Sequence, residues 1–230
     1  MTNMTTETQE DPIHELRLYR IEPGRTQDIV GRWQNDLKTL FPRHGIRPIG
    51  TWSAFAGGKA PLFVYLMSWR NMQQRTKAFA DFVADPAWAE ARNRTNAGTE
   101  LVERYEILFL RSAQAWHEPS AEQLGRAPVF ELILQEVAQG QGGAVRSAML
   151  DVATSAWKEA GATVCGVFDI MSGYALPAAA FVVAWQSMED RTRAYDALCV
   201  RLAAPRSPSG LPLLQRAEHL LMHSVPVDWQ

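Results

Sequence analysis

Apolar and polar residues alternate from position 13 to 21, with Leu16 and Leu18 on one face and Glu15, Arg17 and Tyr19 on the other. A period of two belongs to a half-buried strand, and Pro23-Gly24 stops it. The period then changes. Ile29, Val30, Trp33, Leu37, Leu40 and Phe41 recur at spacings of three and four, which predicts an amphipathic helix over 25–44 ending at Gly45. Strands are predicted over 46–55 and 62–69 around a Gly57-Gly58 hairpin turn, then a helix over 70–83. Asp85-Pro86-Ala87-Trp88 opens a short extra helical turn, with Asp85 as N-cap and proline at the first helical position. A strand over 101–110 completes β-α-β-β-α-β, the ferredoxin-like order.

The second half repeats the first. Adding 116 turns Glu15, Leu16 and Leu18 into Glu131, Leu132 and Leu134, and Trp69 into Trp185. The same shift takes Arg75-Thr76 to Arg191-Thr192 without a gap. In the last strand the offset is 112, so that Arg104, Glu106 and Leu108 meet Arg216, Glu218 and Leu220. Such a register is a duplication. The expected organisation is a polar disordered tail over 1–12, domains over 13–112 and 128–225, and a linker over 113–127 carrying Pro119 and Gly125.

Composition narrows the class of function. Hydrophobic content of 47% and a net charge of −2 suit a globular protein with no electrostatic call on nucleic acid or anionic membrane. No apolar run is long enough to span a bilayer, and the acidic N-terminal stretch is no signal peptide, so a cytoplasmic location is expected. Cys165 and Cys199 lie in apolar runs as core thiols. There is no HExxH or CxxC, and His219 and His223, four apart on a strand, would stand roughly 13 Å apart. Gly57-Gly58-Lys59 lacks the spacing of a phosphate loop. Neither a metal nor another cofactor is expected. His14 shares the parity of Leu16 and is expected at the surface or against a helix.

Glu15-Leu16-Arg17-x-Tyr19, Pro23-Gly24, a helix holding Trp33, Gly50-x-Trp52, Trp69 leading into a helix with Arg75, and Asp85-Pro86-Ala87-Trp88 resemble the NIPSNAP family. The resemblance is strong over 13–112 and diluted over 128–225. It implies an α+β fold in which two ferredoxin-like repeats form a dimeric α/β-barrel-type pseudo-dimer within one chain, or pair across a homodimer. The wider superfamily includes cofactor-free monooxygenases, polyketide cyclases, isomerases and haem proteins, whereas animal NIPSNAP proteins are better known as adaptors. Departures from the family are Tyr65 and Met67 on the third strand, and Ile133 and Gln135 where the first half has Arg17 and Tyr19.

If Leu16 and Leu18 pack under the helices, then Glu15, Arg17 and Tyr19 point between the two sheets, joined by Tyr65, Met67, Trp69 and Trp52. The second half would offer Glu131, Ile133, Gln135, Phe181 and Trp185 to the same space. Such a site would suit a small aromatic or polyketide-like organic acid. Arg17 would hold an anion or developing enolate, Glu15 would act as a general base, and Tyr19 or Tyr65 as a proton donor. Two functions are expected: a cofactor-independent isomerase, cyclase or lyase, or a non-catalytic adaptor. The alternative for the polar row is ion pairing that fills the barrel, which the recurrence of Glu15 as Glu131 favours for the carboxylate.

Overall fold

The computed structural model describes residues 11–126, 128–204 and 212–230. Most of the expected tail therefore lies outside the described residues. The first half contains β1 (Ile13–Ile21), β2 (Pro48–Ala56), β3 (Leu62–Trp69) and β4 (Val102–Gln114). The second contains β5 (Val129–Val137), β6 (Thr163–Ser172), β7 (Ala178–Trp185) and β8 (Leu214–Ser224). All eight join in a closed antiparallel barrel of order β1-β3-β2-β8-β5-β7-β6-β4. The seams between halves are β2–β8, where Trp52 faces Ser224, and β4–β6, where Arg111 faces Asp169. The ring thus closes within one chain.

The duplication extends to register. Arg17 pairs with Tyr65 as Ile133 pairs with Phe181, and Arg17 pairs with Ile107 as Ile133 pairs with His219.

The helix after β1 is not uniform. It starts as α1 (Thr26–Arg32), passes through a π-helical stretch (Trp33–Leu37), and ends as α2 (Lys38–Arg43). Lys38 N–H reaches back five residues to the Trp33 carbonyl, and both Trp33 and Leu37 are buried. Helix α3 (Met72–Ala84) is capped by Asn71, whose side chain accepts from Gln74 N–H. Helix α4 (Pro86–Asn96) is longer than the single turn expected; Asp85 caps it by accepting from Ala87 N–H at 2.9 Å. The connecting stretch is packed rather than loose. It holds α5 (Ala121–Leu124), with a Ser120–Gln123 capping box, and sets Trp116 against Trp52 on the barrel core. In the second half, α6 (Gly143–Glu159) and α7 (Met188–Leu202) cover the sheet.

The expected orientation of β1 is reversed. Leu16, Leu18, Trp52, Val64, Leu108 and Leu110 meet Phe130, Leu132, Phe168 and Leu220 from the other sheet in one apolar cluster that fills the barrel. Tyr65, Met67 and Trp69 instead join Trp33, Phe41 and Phe82 under the helices. The physical reason is that both faces of β1 are buried, so alternation identifies two faces without saying which one the helices cover. His14 goes with the interior face. It is buried against Phe168, with Nε2 2.8 Å from Ser112 Oγ, rather than at the surface.

Candidate functional site

Because β1 turns its polar face outward, Glu15 meets the helix α3. Arg75 donates from Nε at 3.0 Å and Nη2 at 2.8 Å to the two oxygens of this fully buried carboxylate. Trp69 Nε1 donates to it at 3.0 Å, and Arg17 approaches at 2.7 Å through both Nε and Nη2. Burial alone would raise the Glu15 pKa. The hydrogen bond from Arg75 and the charge of Arg17 outweigh that, and hold it below the usual carboxylate value.

Arg17 has a second role. Its Nη1 donates to Tyr19 Oη at 2.9 Å and to Tyr65 Oη at 3.2 Å, and the two phenol oxygens are 2.7 Å apart. Tyr65 is buried, and among the described residues Tyr19 is its hydrogen-bond acceptor. Tyr19 therefore receives two hydrogen bonds and keeps its own proton to give. Burial pushes the Tyr65 phenol well above its ordinary pKa, the neighbouring Tyr19 adds to this, and Arg17 pulls the other way. Burial also works against the Arg17 cation, but the phenols and Glu15 more than offset it and its pKa is raised. Phe79 lies flat against this guanidinium, 4.0 Å from its carbon to the ring centroid.

The second half rebuilds the carboxylate node with one change. Glu131 accepts from Trp185 at 2.9 Å and from Arg191 at 2.8 and 3.2 Å, as its counterpart does from Trp69 and Arg75. Its third partner is His219 on β8, Nδ1 at 2.7 Å, because β5 carries Ile133 where β1 carries Arg17. The isoleucine and its nitrogen-bearing partner, Arg17 in one half and His219 in the other, have changed places between the halves.

Above the polar face of the first half lies a cavity of about 610 Å³. Its floor includes Arg17, Tyr19, Tyr65 and Ile107, its helical walls Trp33, Leu37, Phe79 and Phe82, and its α4 wall Trp88 and Arg92. The π-helical stretch borders it, as such stretches often border functional sites. Tyr105, 62% exposed and tilted against Tyr19 at 5.7 Å, marks its rim. Among the described residues, no group of three or more His, Cys, Asp or Glu could hold a metal ion. No histidine lines the cavity, so its donor set does not fit a haem held by an axial imidazole.

Sequence comparison assigns the segment that carries this cavity. The NIPSNAP family model matches residues 14–115. The first half is a NIPSNAP domain. No curated protein matches the chain in sequence. Solved structures resemble the whole chain. A candidate monooxygenase from Lactobacillus acidophilus aligns at a TM-score of 0.58 and 12% identity, covering 94% of this chain and 95% of that one. A mutant chlorite dismutase from Candidatus Nitrospira defluvii aligns at 0.55 and 10%, covering 94% and 93%. An anthrone oxidase-like protein aligns at 0.52 and 11%, covering 96% of each. These likenesses establish a shared fold: a mixed α/β chain built on a closed eight-stranded barrel.

In the NIPSNAP half, Arg17, Tyr19 and Tyr65 come together at the cavity floor, while Glu15 sits behind them with both oxygens committed. Met67 and Trp69 are buried beneath the helices, and Trp52 lies inside the barrel, away from this cavity. Of the second-half candidates, Ile133, Phe181 and Trp185 pack under α6 and α7, and Glu131 completes its own node. Gln135 spends its amide on the carbonyls of Glu136, Gln215 and Arg216. The two groups are thus not brought to one space, because the filled barrel separates the two helix layers. Arg32, Arg75, Phe79, Trp88 and Tyr105 were outside the sequence-based set. The signal for Arg75 was present, since it recurs as Arg191 at the same offset that relates Glu15 to Glu131.

Among the described residues, no helix is long and apolar enough to cross a membrane.

Proposed function

We propose that the NIPSNAP half binds a small, mostly apolar or aromatic compound in the helix–sheet cavity, and that Tyr19 meets an oxygen of that compound. The observation that carries this reading is the chain from Arg17 to Tyr65 to Tyr19, which leaves one phenol proton unspent at the cavity floor. A cation feeding a short hydrogen-bond chain strengthens the last donor. In a site lined by Trp33, Phe79 and Phe82, such a donor stabilises charge developing on a carbonyl or phenol oxygen. This is the electrostatic part of cofactor-independent isomerase, cyclase or lyase chemistry. Glu15 does not serve as its base; it fixes Arg17 and Arg75. Glu100, the one carboxylate on the cavity wall, is paired with Arg92 at 2.6 Å.

2-Naphthol titrated by calorimetry tests the reading. Saturable binding is expected, weakened about two- to tenfold by Tyr19→Phe and blocked by Ala89→Trp, which places a bulky ring on the cavity wall. Absence of binding, or indifference to both substitutions, would overturn it.

A further inference from the structure

Among the described residues four arginines line the cavity, Arg17, Arg32, Arg75 and Arg92, and carboxylates account for three of them. Arg17 and Arg75 share Glu15, and Arg92 holds Glu100. Arg32 is different. It is 5% exposed, yet among the described residues no carboxylate lies within ion-pair distance. Its Nε donates to Thr95 Oγ1 at 2.7 Å and its Nη2 to Asn96 Oδ1 at 2.6 Å, both neutral acceptors. Its Nη1 has no hydrogen-bond partner among the described residues, and its guanidinium stands 5.6 Å from the Trp88 ring on the cavity wall. Asp36 and Glu100 act on it only from farther away; they pair with Arg94 and Arg92.

A buried cation without a counter-ion is costly, and a protein keeps one where an anion arrives from outside. We infer that Arg32 is the anion anchor of the cavity, and that its ligand is an organic acid with a carboxylate at Arg32 and a carbonyl or phenol oxygen at Tyr19. This rests on the small-molecule reading of the same cavity and adds the second polar end. Tyr19 on β1 of the sheet and Arg32 on α1 belong to different layers, and Trp33 and Ile29 line the same cavity. A planar apolar body with an oxygen at each end is the kind of ligand that would bridge two such layers. Burial, and then the like charge of Arg92, lowers the Arg32 pKa to about 10, still high enough to keep the guanidinium charged at neutral pH. The opposite charge of a bound carboxylate would offset both effects.

The test compares 6-hydroxy-2-naphthoate with 2-naphthol, which lacks the carboxylate, by calorimetry on the full chain. The wild-type protein is expected to favour the acid about ten- to a hundredfold. Arg32→Met should abolish that preference, and Arg32→Lys should keep part of it. Arg32 also ties α1 to α4 through Thr95 and Asn96, so its loss could loosen the fold. The wild-type comparison of the two probes needs no variant and tests whether the cavity favours an anion. Equal affinity for both probes would overturn the anion anchor and leave the cavity reading standing. Binding of neither probe would defeat the cavity reading itself. A preference for the acid that survives Arg32→Met would place the carboxylate elsewhere and overturn the assignment.

Discussion

The two carboxylate nodes differ in one partner, and that difference sets unequal costs for the same mutation. Glu15→Gln keeps the shape and lets the amide oxygen accept from Trp69, but it removes the charge between two guanidinium groups. Arg17 is only 7% exposed, and no guanidinium can shed its proton. Breaking a buried pair in this way costs about 3–5 kcal/mol. For a chain of this size that is a fall in Tm of roughly 6–20 °C. Glu131→Gln removes the charge between Arg191 and His219, whose side chain is partly exposed. The third partner of Glu131 is an imidazole and not a second guanidinium, so one permanent cation is left uncompensated instead of two. The expected cost is about 1.5–3 kcal/mol, the scale of a lost charged hydrogen bond. Thermal unfolding followed by circular dichroism at pH 7 measures both. Equal losses, or a larger loss at Glu131, would refute the argument that the identity of the third partner decides the cost.

Acid should unfold the protein through these same two residues. Both carboxyls are held below their ordinary pKa against the opposing effect of burial: Glu15 by Arg75 and Arg17, Glu131 by His219 and Arg191. Their stabilisation is complete above the unfolded-state value of about 4.3 and disappears as pH falls through the lower folded values. The urea midpoint should therefore drop as pH falls below about 4.3, and less steeply in Glu15→Gln; an unchanged slope in that variant would count against the assignment. The two thiols should also separate cleanly. Cys199 is exposed, whereas burial pushes Cys165 up to about 12. A disulfide-exchange reagent at pH 8 should titrate one thiol in the native protein and both in denaturant.

Much of the architecture was legible in the chain because the repeat is carried by residues that fold alike. The offset of 116 relates Glu15, Trp69 and Arg75 to Glu131, Trp185 and Arg191, and all six re-form the same hydrogen bonds. The side on which the site lies was not legible from β1 alone. Leu16 and Leu18 are apolar because they meet the other sheet, and nothing in a period of two separates that neighbour from a helix. The repeat did hold the answer. A carboxylate and an arginine on a helix that recur together, 60 residues apart in both halves, should face one another. The π-helical stretch was invisible because its residues fit an α-helical pattern as well. Arg32 was overlooked because an arginine beside an apolar helix face reads as a solvated charge, and only the packing of α4 over it makes it buried.

The barrel seams β2–β8 and β4–β6 join two stretches of one polypeptide. In a ring assembled from two identical chains, any codon change is written into both sides at once, and a residue useful on one side must be tolerated on the other. Fusion removes that obligation. The exchange between Arg17/Ile107 and Ile133/His219 is a record of this freedom, since each half keeps a nitrogen-bearing side chain beside its glutamate but has settled on a different strand to supply it. One half could then commit its arginine to a pair of phenols, while the other retained only the brace.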